Sequence, residues 1–217
     1  MHIQSTFRAP AGAARLADVP DTGNLLNGMH PAAITLFAAD STIYNVGDAA
    51  GPLYFVEFGT VRVCRLTADG RRQIVAFHVA GDVFGFEAGA EHDSYAESVE
   101  GTGVRVLRTN AGHEPTSNLL LLALKSLSRA QGHLIVLGRL TANERVASLL
   151  LDLAERQGDD RRVKLAMPRN DIADYLGLTF ETVSRILRIF KDQGLIRLHA
   201  IGDIEILNPE ALSDLCQ

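Results

Sequence analysis

Residues 169–192 constrain the fold of this chain most, because they contain two short helical patterns separated by a tight turn. The first pattern, residues 171–176, follows Asn170, whose residue type commonly caps helices. The second pattern spans residues 180–192 and follows Thr179, another good capping residue. A short helix, a glycine-containing turn and a second helix form a helix-turn-helix, with which many regulators enter the DNA major groove. The sequence therefore predicts a DNA-binding unit near the C-terminus.

The second of these helices has two faces of different chemistry. Its apolar residues follow the i, i+3, i+4, i+7 spacing of a core-facing stripe, and they are Val183, Ile186, Leu187 and Phe190. Another face carries polar residues that can contact bases and phosphates. An arginine there can donate two hydrogen bonds to guanine, worth about 1–3 kcal/mol of discrimination. We predict base contacts from Glu181, Ser184 and Arg185, and phosphate contacts from Arg169, Thr179, Thr182, Arg188 and Lys191.

A simpler alternative for Glu181 and Arg185 is a surface ion pair, because the two residues are four apart on one helix. Such a pair contributes only a few tenths of a kcal/mol, roughly, to helix stability. The charge distribution favours DNA binding, but weakly. Eight Lys/Arg and four Asp/Glu lie between Arg161 and Ala200, a net charge of +4, whereas the whole chain carries −5. A basic solvated face would give the same asymmetry.

The residues after the helix-turn-helix predict a wing. Residues 195–199 and 204–207 are β-prone and flank a short turn that contains Gly202. This pattern indicates a β-hairpin, which would make the unit a winged helix. Asn208-Pro209 then begins a last short helix, because proline suits the first helical position.

The N-terminal half is predicted to be rich in strands. Residues 1–30 contain much Ala, Gly and Pro and predict an irregular arm. Short β-prone runs then alternate with turns, and Asp69-Gly70 indicates a tight hairpin. Many short strands with regular turns are typical of a small antiparallel barrel or roll. The runs are residues 42–44, 53–58, 60–66, 73–79 and 103–108.

A long helix follows, with Thr116 or Ser117 as its predicted cap. Apolar residues recur at alternating spacings of three and four, which is the a/d seam of a coiled coil. We predict that this seam pairs two copies of the chain; the alternative is a single helix packed in its own domain. The seam residues are Leu120, Ala123, Leu127, Ala130, Leu134 and Leu137. A second helix is predicted over residues 142–156, and residues 157–162 are the predicted linker to the basic part.

The predicted fold is therefore α+β with four parts. They are an N-terminal arm (1–30), an antiparallel β-roll (31–115), a dimerisation helix (116–140) and a winged helix-turn-helix domain (141–217). No apolar run reaches the roughly 18 residues of a membrane span, and no secretion signal is recognisable, so a cytoplasmic protein without a membrane partner is expected. Motifs of hydrolases, metalloproteases and nucleotide-binding loops are missing, which argues against an enzyme.

The chain has two cysteines, which do not suggest a disulfide framework. Cys64 alternates with valines on a predicted strand, which indicates a buried thiol. Cys216 lies in the C-terminal tail, where a redox role is a hypothesis to test.

With these motifs in place, the sequence resembles the CRP/FNR superfamily of bacterial transcription factors over nearly its whole length. Residues 170–185 resemble the recognition segment of that family, and residues 141–150 its hinge-side helix. Gly59–Val63 and Gly81–Gly85 resemble parts of its cyclic-nucleotide-binding-like β-roll, as do Ile43–Asp48 and Leu53-Tyr54. The resemblance implies a homodimer that binds double-stranded DNA and contacts RNA polymerase. Glu181-x-x-Ser184-Arg185 resembles the reading motif of the FNR and FixK branch, which implies a palindromic TTGA-N6-TCAA-type site.

The departures from the family pattern concern effectors. Cyclic-nucleotide binders of this family place an arginine on the phosphate, but no Arg or Lys lies between Gly81 and Gly101. The cysteine cluster of the oxygen-sensing members is missing from the N-terminus, and the Cys and His haem ligands of the carbon-monoxide sensors are not matched, so no cofactor is expected. His78, His92 and His133 are interpreted as surface or core residues.

A sequence with the FNR-type reading motif but without these effector-binding residues resembles FixK-type activators. This resemblance implies control of genes for microaerobic respiration, denitrification or nitrogen fixation. The alternative is a regulator that responds to an unidentified effector bound in the β-roll.

Overall fold

The structure, a computed structural model, describes residues 30–108 and 117–216 of the chain. The predicted N-terminal arm therefore lies outside the described residues except for its last position, as does Thr116, one of the two predicted helix caps. The elements below are numbered in chain order. The strands are β1 His30–Phe37, β2 Thr42–Tyr44, β3 Leu53–Phe58, β4 Thr60–Leu66, β5 Arg72–Val79, β6 Val83–Phe84, β7 Tyr95–Ser98, β8 Thr102–Arg108, β9 Arg162–Lys164, β10 Ile196–Ala200 and β11 Asp203–Ile206. The helices are α1 Ser117–Arg139, α2 Ala142–Gln157, α3 Arg169–Leu176, α4 Phe180–Asp192 and α5 Pro209–Asp214.

The first eight strands form two antiparallel sheets that face each other as a roll. Their orders are β1-β8-β3-β6 and β2-β7-β4-β5. The side chains between the sheets exclude water almost completely, and the most buried are Val56, Val61, Phe84, Ala96 and Val104. The α+β prediction with an antiparallel roll is confirmed.

The predicted Asp69-Gly70 turn joins β4 to β5. The backbone amide of Thr67 donates to the carbonyl oxygen of Arg71 over 2.9 Å, which closes the hairpin. Gly70 adopts φ +78°, in the left-handed region that glycine enters without a steric penalty. The pairing of β4 with β5 extends from Thr60 opposite Val79 to Leu66 opposite Arg72.

Helix α1 is long and exposes much of its apolar surface. Leu122 packs against the roll and is only 5% exposed, but most of the other large apolar side chains of the helix face outward. By length and composition alone, Leu119–Arg139 could cross a membrane, although only a small part of this stretch is buried in the structure. The exposed apolar side chains are Leu120, Leu121, Leu124, Leu127, Leu134 and Ile135.

Helix α2 begins at a capping box. The backbone amide of Thr141 donates to the Glu144 carboxylate over 2.7 Å, which satisfies a donor that has no partner inside the helix. The helix ends at Gln157, one residue later than predicted, because Gly158 adopts the left-handed conformation with φ +71°. Its buried face joins the core of the C-terminal part through Val146, Leu150 and Leu153.

The C-terminal part contains a three-stranded sheet in the order β10-β11-β9. Strands β10 and β11 form the predicted hairpin, so the winged helix-turn-helix is confirmed. Strand β9 begins at Arg162, the last residue of the predicted linker, and continues to Lys164. It pairs with β11 as the third strand of the sheet. Helix α5 begins as predicted at Pro209, with the Asn208 side chain accepting from the Ala211 amide over 3.0 Å.

Candidate nucleic-acid interface

Helix α3 begins two residues earlier than the sequence predicted. Asn170 is not its cap: the capping position is Pro168, and Arg169 is the first helical residue. The reason is that the Ile172 amide donates to the Pro168 carbonyl oxygen over 3.1 Å, which closes the first helical turn two residues upstream of the predicted position. Proline is compatible with that place because a helix start needs no amide donor.

The turn between α3 and α4 follows the prediction. Gly177 adopts φ +61°, and its amide donates to the Ala173 carbonyl, which ends α3. Thr179 caps α4, because its hydroxyl accepts from the Thr182 amide over 3.2 Å. Two short helices are thus held at a fixed turn, and α4 projects its N-terminus outward.

The apolar stripe of α4 fixes how the helix is rotated. Val183, Ile186, Leu187 and Phe190 are each at most 2% exposed and contribute to the C-terminal core. Burial of such side chains stabilises the fold by about 1.5–3 kcal/mol each. Since these four positions face inward, the polar face of the same helix must point away from the protein.

The predicted base-reading residues all lie on this outward face. Glu181 and Arg185 are exposed and Ser184 is half-buried. Hydrogen bonds to its own backbone amide and to the Thr179 hydroxyl lower the pKa of Glu181, so the carboxylate is an acceptor at neutral pH. In the ranges that the structure describes, no ion pair joins Glu181 to Arg185, so the surface-pair alternative finds no support.

The predicted phosphate contacts surround this face. Arg188 and Lys191 are exposed along α4, and Arg169 is half-buried in the first turn of α3. Thr179 and Thr182 already form the α4 cap, with their hydroxyl oxygens 3.1 Å apart. Basic residues therefore lie on both helices, and the two threonines stabilise the start of α4.

Replacing Thr179 with alanine is expected to lower the free energy of unfolding by about 1 kcal/mol, because the Thr182 amide loses its acceptor. Urea denaturation followed by circular dichroism measures this loss. Thr179→Asn is the matched control, since asparagine caps helices equally well. A loss of the same size in both variants would show that the cap is not the cause.

The wing lies at the edge of this surface. Ile201 at the hairpin tip is fully exposed, and Gly202 follows with φ +80°. A Cβ atom at Gly202 would lie 2.4 Å from the Leu165 carbonyl oxygen, so only glycine fits this turn. On the hairpin strands, the Glu205 carboxylate accepts from Arg197 over 3.0 Å and lies 2.7 Å from His199.

A charged cluster that the sequence did not predict joins the roll to α3. Arg62 of β4 donates to Asp171 over 2.8 Å, and Arg72 of β5 donates to the same carboxylate over 2.6 Å. Arg72 also contacts Asp174 over 3.1 Å. Asp171 is only 3% exposed, and these two arginines supply the ion pairs that a buried carboxylate needs.

Arg62 is the centre of this cluster. Besides Asp171, it donates to Glu97 and to Asp40, each over 2.9 Å. Burial alone would lower the pKa of Arg62, but the hydrogen bonds to Glu97 and Asp171 outweigh it and raise the pKa. The sequence did contain a signal, since Arg62 is a charged residue between the apolar residues Val61 and Val63, but its partner Asp171 lies 109 residues away.

Arg145 forms a second link, between α1 and the helix-turn-helix. Its guanidinium donates to the carbonyl oxygens of Leu137 and Leu176 over 2.9 Å each, and to that of Leu140 over 3.0 Å. These carbonyls lie at or just beyond the C-terminal ends of α1 and α3, where backbone acceptors lack helical partners. The position of the helix-turn-helix is therefore tied both to the roll and to the long helix.

The candidate redox and ligand residues lie elsewhere. Cys64 is fully buried, and burial raises its pKa to about 11. Cys216 is half-buried, and burial raises its pKa as well, which disfavours the reactive thiolate. A redox role for Cys216 stays a prediction that this geometry does not favour. Across the described ranges, no group of three His, Cys, Asp or Glu residues is placed to hold a metal ion.

Two family profiles match the chain: a Crp-like helix-turn-helix domain over residues 144–215 and a cyclic nucleotide-binding domain over residues 34–111. The chain is 46% identical to the nitrogen fixation regulation protein FixK of Rhizobium meliloti, over 86% of this chain and 88% of that protein. It is also 46% identical to FixK of Azorhizobium caulinodans, over 83% of this chain and 77% of that protein. The solved structure of FixK2 from Bradyrhizobium japonicum is 39% identical with a TM-score of 0.78, over 86% of this chain and 98% of that one. These similarities cover both the roll and the helix-turn-helix.

Proposed function

This chain belongs to the CRP/FNR family of transcription regulators, in the branch of FixK, and from that premise we propose that it binds a palindromic TTGA-N6-TCAA-type site as a homodimer. The observation that carries the proposal is the outward face of α4, where Glu181, Ser184 and Arg185 lie opposite a fully buried apolar stripe. A rigid helix with such a face fits the major groove, where base edges present donors and acceptors.

The proposed reading chemistry follows from the exposed side chains. Arg185 donates two parallel hydrogen bonds to O6 and N7 of the guanine, and Glu181 accepts from the amino group of the paired cytosine. Ser184 is short and reaches a neighbouring base or phosphate. Phosphate contacts from Arg169, Thr179, Thr182, Arg188 and Lys191 set the register of the helix without reading sequence.

The proposed homodimer is supported by the exposed seam of α1. Leu120, Leu127 and Leu134 are 59%, 54% and 68% exposed, although a soluble monomer rarely leaves such a contiguous apolar surface open. A second copy of α1 would cover them as in a coiled coil. A membrane is a poorer occupant, because Lys125 and Arg129 lie in the middle of this helix and Arg129 is paired to Asp82 of the roll. We accordingly place the protein in the cytoplasm.

We further propose the division of labour predicted from the sequence: an arm (1–30), a roll (31–115), a dimerisation helix (116–140) and a DNA-binding domain (141–217). As a FixK-like activator, the dimer would contact RNA polymerase at promoters of microaerobic, denitrification or nitrogen-fixation genes. The support for this regulon is that relatives over most of the chain are named nitrogen fixation regulators.

The roll itself argues against a cyclic-nucleotide effector. Its cavity measures about 110 Å³ and contains the Glu87 carboxylate but no Lys or Arg among its lining residues. Ligand sites for drug-sized molecules are usually about 300–1,000 Å³. His92 stacks on Tyr44 with ring centroids 3.8 Å apart and fills space next to this cavity. A phosphate there would meet a carboxylate and lack a cationic partner.

Arg185→Ala tests the reading role. The variant is expected to lose about 1–3 kcal/mol of affinity for the specific site and to lose its preference at the G·C pair, because the bidentate contact is gone. Fluorescence anisotropy at fixed salt, on duplexes with each half-site pair changed in turn, measures both effects.

Lys191→Ala is the matched control for this experiment. Loss of a phosphate contact should weaken binding to every duplex alike and reduce the salt slope by about one. If Arg185→Ala behaved in the same way as Lys191→Ala, the base-reading assignment would be wrong.

A further inference from the structure

A cavity of about 460 Å³ lies where the roll, the long helix and the helix-turn-helix domain meet. Its walls come from β5, α1, α2 and the C-terminal end of α3, so no single part of the chain encloses it. Its volume lies within the range of small-molecule sites. It is larger than the cavity inside the roll, with which it shares only His78 and Ser126.

The charged groups around this cavity are predominantly cationic. Lys125, Arg129 and Arg156 line it, against the two carboxylates Asp82 and Asp152. Asp82 is held between Arg129 at 2.6 Å and Arg156 at 2.5 Å. Burial favours the neutral form of Asp82, but the charge of Arg156 outweighs it and keeps the pKa of this carboxyl well below its usual value.

Lys125 is left without an acidic partner in the part of the chain that the structure describes. Burial and the nearby charge of Arg129 lower the pKa of its ammonium group. A cation in this position is destabilised by both effects, and an anion in the cavity would relieve them.

Two buried nitrogen atoms at the same wall also lack partners. The side chain of Arg156 is only 10% exposed, and its buried Nε atom makes no hydrogen bond. Nδ1 of His78 is likewise buried without a partner. A buried donor that finds no acceptor costs free energy, so oxygen atoms of a ligand would be favoured at this place.

Aromatic rings also line the cavity. His133 stacks on Tyr175 with ring centroids 3.9 Å apart and planes 4° from parallel. Phe77 meets Tyr175 edge-on at 5.1 Å. The cavity thus combines cationic groups with aromatic and apolar surface, as ligand sites with a few placed polar groups do.

The proposed partner helix would not fill this space. Residues 125, 129 and 133 of α1 recur at i and i+4 on one helix face, and the exposed seam leucines Leu127 and Leu134 lie on the opposite side at 100° per residue. Ala130 is the one seam residue that also lines the cavity, so a partner helix on the seam would leave the wall formed by residues 125, 129 and 133 uncovered.

We propose that this junction cavity is a binding site for a small metabolite that carries carboxylate or phosphate groups. Lys125 binds its anionic oxygens, and the neighbouring guanidinium groups of Arg129 and Arg156 make the site cationic. Because Tyr175 of α3 forms one wall and Val75–His78 of the roll another, a bound anion also favours one placement of the helix-turn-helix relative to the roll. Anion binding and DNA affinity are therefore thermodynamically coupled, and each changes the other by the same factor.

Isothermal titration calorimetry of the full chain tests the site, with inorganic phosphate and citrate as probes and sodium chloride at matched ionic strength as the blank. Saturable binding of about one probe molecule per chain is expected for one or both probes. Binding of phosphate alone identifies a phosphate ligand, and binding of citrate alone identifies a carboxylate ligand. No saturable heat with either probe at millimolar concentration would overturn the proposal.

Lys125→Met is the informative variant, because it removes a half-buried cation that has no ion-pair partner among the described residues and keeps the apolar stem. Its thermal stability without probe should be unchanged or higher, and probe binding should weaken about tenfold or more through the lost charge-assisted hydrogen bond. Lys164→Met, on β9, is the matched control, because Lys164 is exposed and does not line the cavity, and it should bind the probe normally. Equal affinity in Lys125→Met and the wild type would contradict the assignment, whether or not either protein binds DNA.

Discussion

Leu127→Glu is expected to convert the protein from a dimer to a monomer. Leu127 lies at the middle of the exposed α1 seam and is 54% exposed in the single chain. Two glutamates would face each other across the paired helices in an apolar environment, where unpaired charge is costly. Light scattering should report the mass of one chain.

The same variant should lose about 10²–10⁴ in affinity for a palindromic site, because the two half-sites are then bound independently. Leu36→Glu is the matched control, since Leu36 is also an exposed leucine, 72% exposed, but lies on β1 of the roll. The control should remain dimeric. A dimeric Leu127→Glu protein would refute the seam.

Asp171→Ala is expected to lower the free energy of unfolding by about 3 kcal/mol, at the low end of the cost of breaking a buried ion pair. The loss arises because Arg62 and Arg72 both lose their shared carboxylate, while Arg62 keeps Glu97 and Asp40. Chemical denaturation measures the change. Helix α3 would then lose its charged anchor on the roll.

Asp174→Ala provides the control for this bridge. Its side chain is 40% exposed and contacts only Arg72 of the two bridging arginines, so we expect a loss below about 1 kcal/mol. The double variant Arg62→Met/Asp171→Leu should recover part of the loss, because it removes the buried cation and the buried carboxylate together, while Glu97 loses Arg62 as its donor. Equal losses in the two aspartate variants would show that burial of Asp171 has no special importance.

The parts of the site that the sequence predicted are those defined by local spacing. The inward stripe of α4, the Thr179 cap and the β10–β11 hairpin each depend on residues within a few positions of one another. Strands β2, β3 and β4 also have their predicted bounds, because β-branched and aromatic runs end at turn residues. The predictions of the fold class and of a FixK-like regulator are confirmed by the family profiles and the FixK relatives.

The parts that the sequence did not predict depend on distant residues or on very short elements. Strand β9 has only three residues, too few to display a period of two. The Arg62–Asp171 bridge and the junction cavity join segments that approach each other only in the folded chain. Asn170 was predicted as a cap because its residue type fits, but the Ile172 amide closes the turn on Pro168 instead.

In-vitro selection of bound duplexes from a random library, at stated salt, tests most directly whether the exposed face of α4 reads DNA. The account predicts a two-fold-symmetric consensus with TTGA and TCAA half-sites, and loss of the G·C requirement when the selection is repeated with Arg185→Ala. Recovery of duplexes without any shared sequence, at the affinity of random competitor, would contradict it.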